Sequence, residues 1–346
     1  MTRRAVSTTV LVLAVVAIIV IAGAAYFFLG APTTPQGPTL KMAAILPGQD
    51  NDGDYNTLGA QAIQKIKADK GIEATYAASV AVPDAGTQME QFIGSGYNII
   101  WAHGAQFNTA IGLNTTQQGL AAKYPNVTFI AETDAPVPGQ RSNVWIIDRN
   151  FAIGYYAIGA AAALASKTGK IAYIGGLQLP FSNAEANAAI IAARSINPNI
   201  QIYRFWSGDF NDPQKANIQA QSIINQGVDV IMSSTNLGVY GILQAVNNTN
   251  VLVTTKYTDK TSYAPNNYIT SYRYDFSVAL EYVYDQVKSG VTSGYYVIPF
   301  GTGCYIDLPL KNVSSAANAQ VSSIIDKLKS GAITVSFNAT DPGPGP

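Results

Sequence analysis

Apolar residues follow two patterns along the chain. One is a single run from Val10 to Leu29, VLVLAVVAIIVIAGAAYFFL, with no charged side chain. As a helix rising about 1.5 Å per residue, it matches the hydrocarbon thickness of a bilayer. The other pattern begins near Leu40, where short continuous apolar runs alternate with amphipathic stretches. Lys41–Pro47, Asn98–His103, Val127–Glu132 and Asn143–Asp148 read as buried strands. Leu58–Lys70 reads as a helix, and another helix ends near Tyr124-Pro125. A long helix over Ala152–Lys167 is closed by Gly169, a residue type suited to a left-handed helix terminus. A second series of strands follows at Lys170–Gly176, Ile200–Trp206, Val228–Ser234 and Val251–Lys256. Continuously apolar strands separated by helices belong to parallel sheets covered on both faces. Two such series, joined near residue 148, predict an α/β protein with two doubly wound parallel-sheet lobes. Its ligand cleft would lie between them, beyond the carboxyl ends of the strands.

The flanks of the first run set its topology. Arg3 and Arg4 precede it and no acidic residue does, which keeps the short N-terminus cytoplasmic. No Cys follows it to carry a lipid, and it exceeds the roughly 7–15 apolar residues of a cleavable signal core. Arg3-Arg4-Ala5-Val6-Ser7-Thr8 resembles the archaeal pilin-type signal, cleaved ahead of the apolar stretch, here after Ala5. An uncleaved anchor explains the same residues, and both readings retain the span. Residues 1–30 are therefore expected to be a membrane anchor or pilin-type signal. Residues 31–39, APTTPQGPT, form a Pro-rich extended stalk, and the body beyond it is extracellular. Sequons beginning at Asn114, Asn126, Asn247, Asn312 and Asn338 are compatible with glycosylation.

Composition narrows the chemistry. The 346 residues hold 21 basic and 21 acidic side chains, so no net field draws in nucleic acid. A single His (His103) builds no zinc cluster, and a single Cys (Cys304) forms no internal disulfide. Neither a G-x-S-x-G elbow nor an H-E-x-x-H helix occurs. Gly301-Thr-Gly-Cys304 lacks the rest of a dinucleotide loop and reads as a turn, so no cofactor is expected. The candidates lie near strand ends. Pro47–Asn56 carries Asp50, Asn51, Asp52 and Asp54; some cap the next helix, and others suit the hydroxyls of a sugar. Tyr55 offers a flat face for a ring. The Asp/Asn run around a Gly also invites a calcium reading, but the distal Glu of an EF-hand is absent. Trp101 and His103 alternate along the third strand, and Asp134 follows the fourth. Trp206, Asn236 and Asp259 lie at strand ends in the second series. Each aromatic taken singly reads equally as core, but their recurrence with amides and carboxylates favours a site that stacks and hydrogen-bonds a neutral ring or sugar.

From about Lys41 to Val335 the chain resembles the basic membrane protein family of extracellular substrate-binding proteins. Asn51-Asp-Gly-Asp-Tyr-Asn56 is similar to the family's Asp-Asp-x-Ser-Phe-Asn segment, with Tyr55 in the Phe place. Phe151–Ala161, Lys170–Gly176, Asn197-Pro198, Phe210-Asn-Asp-Pro213 and Gln226-Gly-Val-Asp-Val-Ile231 match in order. Lys329-Ser-Gly331 through Val335 resembles the closing helix and strand. The resemblance implies a type I periplasmic-binding fold and delivery of a purine-nucleoside-like ligand to the permease and ATPase subunits of an ABC importer, without catalysis. It places 40–147, with about 268–300, in the first lobe, 148–267, with about 301–336, in the second, and 337–346 in a tail. By position Asp52, Asn56 and Asp134 become polar ligand contacts. Departures fall on the ligand. The family's Phe residues near Glu185 and Ala189 are missing, and its Gly-Val-Asp-x-Asp becomes Lys256-Tyr-Thr-Asp259, keeping the second Asp. Arg273 and Tyr274 stand where a Lys is expected after Ser271. Tyr55, Trp101 and Trp206 would stack, His103 would join the site, and Asp52, Asn56, Asp134, Asn236 and Asp259 would hydrogen-bond. Rival readings are an extracellular glycoside or nucleoside hydrolase working through paired Asp residues, and a ligand-sensing receptor subunit needing a partner for output.

Overall fold

The computed structural model describes residues 39–343 and 345. The apolar run at 10–29 and nearly all of the Pro-rich stalk lie outside the described residues. Among the described residues, no helix is long and apolar enough to cross a membrane.

The first half of the body runs β1 (Met42–Ile45), α1 (Tyr55–Lys70), β2 (Ala74–Ala77), α2 (Ala85–Gly94), β3 (Ile99–Ala102), two single turns α3 (Asn108–Ile111) and α4 (Leu120–Lys123), β4 (Thr128–Thr133) and β5 (Val144–Asp148). The second half runs α5 (Phe151–Ala165), β6 (Lys170–Gly175), α6 (Pro180–Ile196), β7 (Gln201–Trp206), α7 (Pro213–Asn225), β8 (Val230–Ser234), α8 (Val239–Val246), β9 (Leu252–Tyr257) and β10 (Tyr268–Tyr274). The chain then adds α9 (Ser277–Lys288), β11 (Gly294–Val297), β12 (Cys304–Ile306) and α10 (Ser315–Lys329).

β1, β3, β5 and β8 are buried along their whole length, as strands covered on both faces must be. One sheet has the order β2-β1-β3-β4-β5-β11, all parallel. The other has the order β7-β6-β8-β9-β10-β12, parallel except for β12. Both sheets therefore hold their first strand second from one edge and add strands to either side of it, the doubly wound order.

Three segments carry the chain between the sheets: 149–150, 275–276 and 298–303. The last two correct the expected boundaries. Tyr268–Tyr274, placed with the first lobe from sequence, pairs with β9 and β12 in the second sheet. Only α9, which packs on α1, and β11, which pairs with β5, return to the first lobe. The helix expected to end near Tyr124 is instead two turns separated by a loop. Gly112 sits at φ 70°, and a Cβ on Gly119 would lie 2.5 Å from the Ile111 carbonyl, so the backbone doubles back there. The stretch after Gly331 expected to be a strand joins neither sheet among the described residues.

Candidate ligand-binding site

A cavity of about 740 Å³ opens between the two sheets. Its wall is built from residues just beyond the carboxyl ends of the parallel strands, where this topology leaves a crevice. The first sheet contributes Pro47 and Gly48 after β1, Ala105 and Gln106 after β3, Asp134 and Ala135 after β4, and Arg149 after β5. The second contributes Leu177 and Leu179 after β6, Phe210 and Asn211 after β7, Thr235 and Asn236 after β8, and Tyr257 at the end of β9.

The helix starts complete this wall. Pro180 opens α6 at a position where its missing N–H costs nothing, and Phe181 beside it faces the cavity. Phe181 stacks on Phe210 with ring centres 5.9 Å apart and planes 19° apart. At the start of α1, Tyr55 stacks on His103 at 3.8 Å. Behind it lies a buried polar knot. Glu132 accepts hydrogen bonds from Tyr55 Oη at 2.5 Å and Trp101 Nε1 at 3.1 Å, with His103 Nδ1 at 2.7 Å. The other ring nitrogen of His103 meets the Tyr55 carbonyl at 2.9 Å. Burial alone would raise the Glu132 carboxyl, but His103, Arg149 and the Tyr55 hydroxyl hold it below its ordinary range. The knot fixes the Tyr55 ring from behind.

Both charged residues on the wall are spoken for. Arg149 grips Asp134 with two hydrogen bonds, Nε to Oδ1 at 3.1 Å and Nη2 to Oδ2, and both side chains are buried. The guanidinium also lies 4.5 Å from the Phe151 ring centre and 4.9 Å from that of Phe181. The rest of the polar wall is neutral: Asn56, Gln106, Asn108, Thr133, Asn211, Ser234, Thr235 and Asn236. Asn108 donates through Nδ2 to the Glu132 carbonyl, and its buried Oδ1 has no partner among the described residues. Tyr257 holds φ 73°, a strained backbone for a bulky residue, in a position on the cavity wall.

Of the residues singled out from sequence, the structure brings Tyr55, Asn56, Asp134 and Asn236 to the cavity wall. Asp52 stands behind it. Its Oδ1 accepts from the backbone N–H groups of Asp54 and Thr57, and its Oδ2 accepts from Asn56 Nδ2 at 2.7 Å. Burial raises the Asp52 carboxyl, but these donors together with Asn236 bring it below its ordinary value. Trp101 and His103 are fully buried behind Tyr55. Trp206 packs against Tyr173 away from the wall. Asp259 is half exposed outside the cavity, holding the Thr261 amide and hydroxyl at 2.9 and 2.5 Å. Asp50 accepts from Tyr76, whereas Asp54 pairs with Lys260, so the Asp-rich loop spreads its carboxylates among separate partners. Glu185 takes Lys256, Tyr173 and Ser234 as partners in the core, and Ala189 is core too. The aromatic absent from those positions has a counterpart one turn earlier, in Phe181. Phe181, Phe210, Arg149 and Tyr257 were not among the residues picked for the site, although Pro180 and the ends of β5 and β9 marked three of these positions.

The loop before α1 also ties the lobes together. Asn236 Nδ2 donates to Asp52 at 3.1 Å, Thr258 Oγ1 to the Gly53 carbonyl at 2.7 Å, and Lys260 Nζ to Asp54 at 3.0 Å. The cleft is closed along this edge.

The profile of the family described as "ABC transporter substrate-binding protein PnrA-like" matches residues 39–333. The chain belongs to this family. Among curated relatives, basic membrane protein A1 of Borrelia garinii subsp. bavariensis is 25% identical over 267 residues, 75% of this chain and 77% of its own. A purine-binding protein of Brucella abortus is 27% identical over 255 residues, covering 73% and 69%. Among solved structures, an ABC transporter solute-binding protein from Aeropyrum pernix superposes with a TM-score of 0.73 over 86% of this chain and 94% of its own, at 15% identity. Another from Conexibacter woesei gives 0.68 over 86% and 99%, at 23% identity. These likenesses carry the type I periplasmic-binding fold. Like its family, this chain is a substrate-binding protein of an ABC transporter.

Proposed function

We propose that this chain is a membrane-tethered extracellular receptor that captures a neutral, nucleoside-like ligand and hands it to an ABC permease. The observation that carries the reading is the character of the 740 Å³ cavity: aromatic rings from both lobes, a wall of amides and hydroxyls, and a charge pair already satisfied. Stacking favours a flat ring, and the unpaired Asn108 Oδ1 favours a ligand N–H or O–H donor. A charged ligand would find no free counter-ion on this wall, so a neutral one fits best. Ligand contacts with both lobes would favour the closed population, the form the permease recognises. The purine-binding relative supports the same ligand class. The uncharged run at 10–29, after Arg3 and Arg4, supplies the tether.

Calorimetry with purine nucleosides, free bases, hexoses and short peptides, with recovered ligand checked by mass spectrometry, tests this function. A nucleoside that binds and returns intact supports the receptor. Binding confined to another class overturns the ligand, and a cleaved nucleoside overturns the transport role. In fractionated cells the protein should resist alkaline carbonate and yield only to detergent; recovery from the medium without residues 10–29 would sink the tether.

A further inference from the structure

The chain beyond α10 is fastened to the second lobe. Asn183 and Asn187, one turn apart on α6, both reach it. Asn183 Nδ2 donates to the Ala339 carbonyl at 3.1 Å, and Asn187 Nδ2 donates to the carbonyls of Asn338 and Thr340, each at 2.9 Å. Arg204 on β7 donates through Nε to the Gly343 carbonyl at 2.6 Å. The segment folds on itself as well, with Asn338 Oδ1 accepting from the Thr340 amide and hydroxyl at 3.1 and 2.7 Å. Four carbonyls held by three side chains define a path along α6.

That path delivers Phe337 to the cleft. Phe337 lines the 740 Å³ cavity and also a side cavity of about 270 Å³ beside it, and Phe181 and Ala135 line the same two. It therefore stands at the partition between them, next to the aromatic face of α6 and across from a first-lobe residue. The residue remains 38% exposed, an apolar ring only partly covered on a cavity wall. The family match ends at residue 333, before this segment begins.

We propose that residues 336–343 form a fixed strap that places Phe337 in the ligand-contacting wall, so that a segment beyond the family match helps choose the ligand. The inference rests on the cleft being the nucleoside site. A bound ring lying against Phe181 and Phe210 would cover Phe337 at its edge and remove it from water. The ligand class it selects is one with a flat apolar face at that end; a small, fully hydroxylated sugar would gain little from it.

The test compares the full chain with Phe337→Ala and with a chain shortened after Ser336, titrating each with guanosine and inosine. Amide exchange across 337–343 is followed in the unliganded protein. Losing a buried phenyl contact should weaken both nucleosides about tenfold or more in each variant. Unliganded melting temperatures should stay within a few degrees of the parent, and the strap amides should exchange well below the unstructured-peptide rate. Equal affinities in all three proteins overturn the strap as a ligand wall and leave the receptor reading intact. Exchange at the unstructured rate overturns its fixed placement whatever the ligand. If the parent binds neither nucleoside, the nucleoside reading fails and the strap is judged on exchange alone, protection upholding its placement.

Discussion

The ring and the hydroxyl of Tyr55 face different neighbours, and substitutions separate them. The ring lies on His103 and forms part of the cavity wall, while the hydroxyl serves Glu132 Oε2. Tyr55→Phe keeps the ring and leaves that buried oxygen without its donor, a loss of about 1–3 kcal/mol in stability. Ligand affinity should change little. Tyr55→Ala removes the stacking face too and should weaken a nucleoside about tenfold. Denaturant melts and calorimetry on both variants check this; a Phe variant that binds as poorly as the Ala variant would show that the hydroxyl, not the ring, meets the ligand. Residue-level reading of the sequence picked Tyr55, Asn56, Asp134 and Asn236, which reach the cavity wall because each follows a strand or opens a helix. It misplaced Trp101 and His103 for a physical reason. In a strand covered on both faces, side chains of both parities point into the core, so alternation along Asn98–His103 does not mark a cleft side.

Among the elements, α5 and α6 share the most extensive contact, and their composition allows it. Both helices are rich in small residues, with Ala157, Ala161, Ala186 and Ala189 all buried. A Cβ on Gly159 would stand 2.3 Å from the Ala189 carbonyl oxygen, which is backbone and has nowhere to go. Gly159→Ala should therefore push the helices apart and cost about 1–3 kcal/mol despite its better helix propensity. Because α6 also carries Phe181 and the asparagines that hold the carboxy-terminal segment, the same change should weaken ligand. A thermal melt showing Gly159→Ala as stable as the parent, with unchanged affinity, would contradict this packing. The elements themselves were legible where apolar runs were unbroken: β1, β3–β5 and β6–β9 fall within or nearly on the stretches picked from sequence. The missed strands are of another kind. β2 and β11 are half-exposed edges, β12 is three residues long, and β10 reads YITSYRY, a buried strand with polar letters. β10 is wrapped by hinge contacts, Tyr272 and Tyr274 donating to the carbonyls of Asn150 and Arg149. Hydrophobic patterning cannot announce a strand whose hydroxyls are satisfied by another segment.

For the molecule as a whole, with the cleft working as proposed, binding is a balance between open and closed lobes, and Asp54 is placed to tie that balance to pH. In the closed form Asp54 is fully buried, and its carboxyl faces Lys260, with Asp52, Lys256, Tyr155, Tyr240 and Tyr257 as the other charged or titratable groups around it. Burial dominates, outweighs Lys260 and pushes the carboxyl up to about 7, while Oδ2 has no partner among the described residues. Opening the lobes would separate Asp54 from Lys260 and return the carboxyl to water, near its ordinary value of 3.8. Between those two values the closed form holds a proton that the open form lacks. Closure is then strongest at low pH and loses strength as pH rises towards 7, above which this group imposes no further dependence. One proton limits the slope to about tenfold in closure per pH unit. Asp52 does not cancel this, because its carboxyl is lowered rather than raised and its contribution fades only as pH drops through its ordinary value and below. Nucleoside affinity should accordingly fall from pH 5 to pH 7 and level off by pH 8, and Asp54→Asn, neutral throughout, should flatten the curve. Titrations at pH 5, 6, 7 and 8 decide it: affinity that is flat or rising from 5 to 7 in the parent, or a variant as steep as the parent, removes Asp54 from the closure mechanism and leaves its pairing with Lys260 a static contact.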